Sequence, residues 1–128
     1  MNCPKLTDQN HPTMSVTKTS KIDIEIGLDA ENVPILLRWQ AEDNPQQDGM
    51  EECKAMLLAL FDKRTQDTLK IDLWTKEMQV GEMDRFFYQT LRGLADTYFK
   101  ATQNQQLASQ FRQFVEHFGK ETKVVQAK

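Results

Sequence analysis

The chain has 128 residues, 39% hydrophobic and 27% charged, the length and composition of one small globular domain and not of a disordered segment. Sixteen basic residues against nineteen acidic leave a net charge of −3, so no global positive field exists to hold a phosphate polymer, and nucleic acid is not an expected partner. No apolar run is long enough to span a bilayer and no signal-type apolar segment opens the chain, which predicts a cytoplasmic protein with no membrane insertion.

Residues 1–20 hold two of the four prolines and almost no large apolar groups, so burial cannot offset their ordering entropy and a disordered tail is predicted. Met14 lies just before the first regular pattern and is an alternative start for translation. Ile22, Ile24, Ile26 and Leu28 then alternate with Asp23, Glu25 and Gly27, the period of a half-buried strand. Asn32 and Pro34 supply turn chemistry, and residues 35–41 read as the returning strand, with Ile35, Leu37, Trp39 and Ala41 facing in. Residues 42–52 form a polar loop long enough to be mobile.

The next segment is ambiguous. Cys53, Met56, Leu57, Leu60 and Phe61 fall at helical spacing in a stretch free of β-branched residues, which favours a helix over 52–62. The competing reading is a strand that turns through 62–67 into the next element. Leu69, Ile71 and Leu73 alternate with Lys70, Asp72 and Trp74, a strand whose tryptophan lies opposite its aliphatics. A long amphipathic helix follows from Val80 to about Ala101, and Asn104 is placed to cap a second that stops at Gly119. The short connection predicts an antiparallel helix pair, and residues 120–128 are expected to fray. Gly93, in mid-helix, calls for a close approach of another element to compensate its cost. The sum is an α+β fold: a small antiparallel sheet opened by a β-hairpin and covered by the C-terminal helix pair, forming one domain over 21–119.

Chemistry is sparse. Cys3, Cys53, His11 and His117 show no metal-ligand spacing and offer no paired nucleophile and base, so no metal, cofactor or catalytic residue is expected. Eight of the eleven aromatics lie between Phe86 and Phe118 at seam positions with few interleaved cations, which reads as core and not as a base-stacking platform. Segment 71–78 is the least explained by folding. With Leu69, Ile71 and Leu73 facing the core, Trp74 emerges near Asp72 and Lys76, and a tryptophan on the wet face of a strand is a partner-binding candidate. The bland alternative covers Trp74 with the 62–67 turn or the 42–52 loop.

Several runs, KAMLLALFD over 54–62, TLKIDLWTKEM over 68–78, GEM at 81–83 and FFYQT at 86–90, with Ala101-Thr102, Asn32-Val33-Pro34 and Trp39, resemble the gliding-motility protein GldC family of Bacteroidetes-type bacteria. The resemblance extends from about Ser15 to His117. It departs at Gln79-Val80-Gly81, where the family more often has Pro-Val-Asp, so the helix start lacks its usual acidic cap and is expected to fray. Family members commonly begin near Met14. The resemblance implies a small, soluble, cytoplasmic accessory protein with no established catalytic residue, its motility label describing a genetic association. Together these readings predict a non-catalytic interaction protein that docks a protein partner, a component of the gliding machinery, through Arg38, Asp72, Trp74 and Lys76. The alternative is a small-molecule binder or enzyme using Asp72 and Lys76. The oligomeric state is left open by the sequence.

Overall fold

The computed structural model describes residues 3–6 and 15–126. In chain order these residues form β1 (Ile22–Leu28), β2 (Pro34–Ala41), β3 (Glu51–Cys53), β4 (Ala55–Phe61), β5 (Thr68–Trp74), α1 (Val80–Thr102) and α2 (Gln105–Glu121). The strands make two antiparallel sheets, β1-β2-β3 and β4-β5, and with the two C-terminal helices the class is α+β. The described residues divide after Met78 into two compact units. One is Ser15–Met78, and the other comprises the helices with the described N-terminal residues 3–6.

In the strand unit, β1 and β2 pair as the alternation predicts, Ile24 opposite Trp39 and Ile26 opposite Leu37. Leu37 is 1% exposed and is the one large side chain fully buried among the described residues. The turn between them is closed by Asn32, in the left-handed region at φ 64°, and by the Asp29 carboxylate, which accepts from the N–H groups of Glu31 (2.8 Å) and Val33 (3.0 Å). The loop after β2 is pinned by Gln47, whose Oε1 accepts from the Ala41 N–H and whose Nε2 donates to the Trp39 carbonyl, both at 2.9 Å. Its last two residues, Glu51 and Glu52, belong to β3.

The helix favoured for 52–62 is not formed; the competing hairpin is. β4 pairs with β5 along its whole length, from Ala55 opposite Trp74 to Phe61 opposite Thr68, through a turn in which Asp62 Oδ2 accepts from the Arg64 (3.0 Å) and Thr65 (2.7 Å) N–H groups. These turn bonds hold the Asp62 carboxyl below its usual range, Thr65 contributing most. Residues 53–61 satisfy the helical period only because nearly every position is apolar, and a run apolar on both sides serves equally well as a strand once a partner supplies its hydrogen bonds.

Lys54 interrupts the strand between β3 and β4 with a bend. In an unbroken strand, residues 53 and 56 would point to opposite faces. Here Cys53 and Met56 share the lining of one apolar cavity of about 150 Å³ with Ile22, Ile24, Leu37 and Trp39, so the bend absorbs an odd residue and brings the aliphatic faces of both sheets to the same side. Met56, Leu58, Leu60, Leu69, Ile71 and Leu73 continue that face along the β4-β5 hairpin.

In the helical unit, Asn104 caps α2 as predicted, its side-chain oxygen accepting from the Leu107 N–H (3.1 Å). The start of α1 is also capped, against expectation: Glu82 reaches back to accept the Gln79 N–H (3.1 Å), supplying the carboxylate from inside the helix. The seam between the antiparallel helices buries Ala95, Ala108, Val115 and Gly119, small residues that let the backbones approach, and the aromatic rings expected to form this core flank it instead. Arg112 crosses the seam, its guanidinium over the Phe99 ring (5.6 Å) and within 3.1 Å of Asp96. The helix does not stop at Gly119. It continues to Glu121, and the Val125 N–H donates to the Gly119 carbonyl (3.0 Å). Residues 3–6 and 15–20 of the expected tail carry no regular structure, although the Leu6 N–H donates to the Ala101 carbonyl (3.0 Å). Residues 1–2, 7–14 (with His11 and Met14) and 127–128 lie outside the described residues.

Gly93 and Gly119 exchange the roles that spacing assigns them. A Cβ on Gly93 would meet nothing within 4 Å, so the close approach expected there is absent, whereas a Cβ on Gly119 would lie 2.6 Å from Tyr88 Cε1. Gly93→Ala should therefore raise unfolding stability by about 0.5–1 kcal/mol through propensity alone. Gly119→Ala should lower it by about 1–3 kcal/mol, with much of the loss recovered in the Gly119→Ala, Tyr88→Ala double variant; chemical denaturation of the three proteins checks both signs.

Candidate functional site

The register of β5 places Lys70, Asp72 and Trp74 on the side of the hairpin away from the aliphatic face, together with Ala55, Leu57, Ala59 and Phe61 of β4. In the three-stranded sheet, Arg38 lies on the side opposite Ile24, Ile26, Leu37 and Trp39, between Glu25 of β1 and Glu52 of β3. Because the bend at Lys54 aligns the aliphatic faces, the opposite faces align too, and Arg38, Asp72 and Trp74 share one side of the strand unit. Trp74 is 55% exposed, so neither the 62–67 turn nor the 42–52 loop covers it.

The charged members of the set do not converge. Arg38 pairs with Glu25, Asp72 with its own-strand neighbour Lys70 (3.1 Å), and Lys76 with Asp29 of the β1-β2 turn (2.6 Å). Lys76, placed just past the end of β5, is thereby drawn to a turn 47 residues away and not toward Asp72. Each charge is thus neutralised locally by its partner. Asp29 is the most perturbed of these groups: the Lys76 ammonium, followed by the Val33 and Glu31 N–H groups, lowers its pKa to about 2. Cys53 is shifted the other way, burial alone holding its thiol protonated beyond the ordinary range. Among the described residues no three His, Cys, Asp or Glu side chains are grouped to hold a metal, and no helix is long and apolar enough to cross a membrane.

One residue that sequence reasoning missed belongs to the same face. Phe61 is 71% exposed and stands on the Trp74 side at the opposite end of the hairpin. The helical reading of 53–61 hid it; the competing strand register, carried through the 62–67 turn, would have placed both rings on one face. The two exposed aromatics are separated by Leu57, Ala59 and a single ion pair, a strip with aromatic ends and a mixed middle.

The Asp29–Lys76 pair has a definite pH signature. A carboxyl near pKa 2 in the folded chain and near 3.9 when unfolded stabilises the fold above about pH 4, and that contribution is lost as pH falls through about 2. The melting-temperature gap between wild type and Asp29→Asn should stay constant from pH 7 to 5 and close between about pH 4 and 2, and the Asp29 carboxyl should titrate near 2 when followed by carbon NMR.

Comparison with curated protein sequences and with solved structures finds no match. The model of one family, described as gliding motility-associated protein GldC-like, matches residues 34–124, from the first residue of β2 to three residues past the end of α2. That match spans well over half of the sequence and includes β5 with Trp74 and both helices, and the chain therefore belongs to the GldC-like family.

Proposed function

We propose that this chain is a non-catalytic accessory protein that docks a protein partner through the side of its strand unit bearing Trp74. Membership of the GldC-like family ties it to gliding motility, and the partner is accordingly sought in the gliding machinery of a Bacteroidetes-type cell, on the cytoplasmic side. The observation that carries the reading is Trp74 itself: a large ring more than half exposed at the end of a regular strand, where folding alone favours a polar residue. Phe61 at the far end of the face extends the apolar contact. Arg38, Asp72 and Lys76, each held by a neighbour of opposite charge, supply oriented polar contacts at its rim. The same pairing weighs against chemistry, since Lys76 is spent on Asp29 and Asp72 on Lys70.

The test is Trp74→Ala in the full chain. Removing an exposed ring should change unfolding stability by less than about 0.5 kcal/mol. Capture of the partner from a gliding host's lysate should weaken by about 30-fold, the size of a 2 kcal/mol anchor, and the variant should fail to restore gliding in a strain lacking the gene. Unchanged capture, or a variant that no longer folds, would overturn the reading.

A further inference from the structure

The aliphatic face of the strand unit, on the side away from Trp74, is lined with exposed side chains. Ile22, Ile24 and Ile26 of β1 and Leu60, Leu69 and Ile71 of the β4-β5 hairpin are each between 39% and 59% exposed. Trp39 and Met56, half-buried, lie on the same side between the two rows. Together these residues present on the order of 600 Å² of contiguous apolar surface, the upper end of what a typical monomer leaves in water. Two such faces pressed together remove about 1,200 Å² from solvent, the threshold of a specific protein–protein interface.

Three properties fit this face to a second copy of itself. It is nearly free of charge: among the strand residues on this side only Glu51, opposite Trp39 at the start of β3, is ionised. A twofold axis through the face therefore brings apolar surface against apolar surface, where a charged row would meet its own like charges. It is also built of strands, and two sheets stack face to face about 10 Å apart with their inner side chains interdigitated. Finally it carries a hollow, the cavity of about 150 Å³ lined by Ile22, Ile24, Leu37, Trp39 and Met56. An apolar hollow of that volume takes a group about the size of a benzene ring, which is room for one aliphatic side chain of a facing copy.

We propose that the chain forms a twofold dimer in which the aliphatic faces of two strand units stack as a β-sandwich. The Trp74 faces then point outward on opposite sides of the sandwich, and one dimer offers the docking surface twice. A protein of this kind bridges two partner molecules, or binds a repeated partner with an avidity set by the fixed span between the two surfaces.

Sedimentation velocity of the full chain from about 1 μM to about 1 mM should show the mass rise from one chain to two. In a mixture of isotope-labelled and unlabelled chains, filtered NOE spectra should connect the methyl groups of Ile24 and Ile71 to aliphatic protons of the other copy. Ile24→Lys and Ile71→Lys, at exposed positions, should stay folded by circular dichroism. Each should raise the dissociation constant about 100-fold, because both copies then bring an unpaired charge into the contact. Phe114→Lys, a comparably exposed apolar position on α2, and Trp74→Ala should leave the dimer intact. A chain that stays monomeric at every concentration overturns the proposal and leaves the face to a different protein or another segment. So does a dimer without NOEs from this face, or one that Phe114→Lys or Trp74→Ala dissociates and the isoleucine variants do not. If an isoleucine variant fails to fold, the NOE spectra of the unmodified chain decide alone.

Discussion

The strand unit depends on one odd residue. Side chains alternate along a strand with a period of two, so a run that pairs first with β2 and then with β5 keeps its aliphatic face on one side only if its parity is corrected at the junction. Lys54 makes that correction. Its bend lets Cys53 and Met56 line the same apolar cavity, and its carbonyl takes the Thr75 N–H so that the second ladder starts without a gap. Without the extra residue, the aliphatic row from Met56 to Leu60 would turn to the Arg38 side, and Leu57, Ala59 and Phe61 would take its place. The face that carries Trp74 follows from this local break, as bulges in sheets commonly re-aim side chains.

The charges of this face are paired one by one. In the fold Arg38 has a counter-charge on the neighbouring strand, Asp72 on its own strand and Lys76 on the β1-β2 turn. Such pairs contribute little to stability when exposed, but they restrict side chains that would otherwise have to be ordered on binding. The helical unit follows a different logic, with small residues in its seam and large rings beside it. Close backbone approach there depends on the missing Cβ of Gly119 beneath Tyr88.

Much of the fold was legible because it rests on local periodicity. The alternation of Ile22, Ile24 and Ile26, the aliphatic row of β5, the span of α1 and the Asn104 cap are each set by a few neighbouring residues, and all stand where the sequence placed them. Trp74 was identified for the same reason, as the residue out of phase with its strand. The failures share a cause as well. Gly93 and Gly119 look alike in a helical pattern, and only the atoms opposite them distinguish open space from a ring in contact. The place of Phe61 on the Trp74 face was lost with the conformation of its segment.

What the sequence determined by itself was the class, the strands and helices whose apolar period admits one reading, and the absence of any spacing that would build a metal or nucleophile site. What the tertiary structure alone decided was the state of residues 53–61, which face of the sheet each of their side chains joins, and where Lys76 goes. A segment apolar at almost every position satisfies both helical and strand periods, so its conformation is chosen by the hydrogen-bonding edge that β5 offers, and a long flexible cation is placed by whichever carboxylate the chain folds beside it.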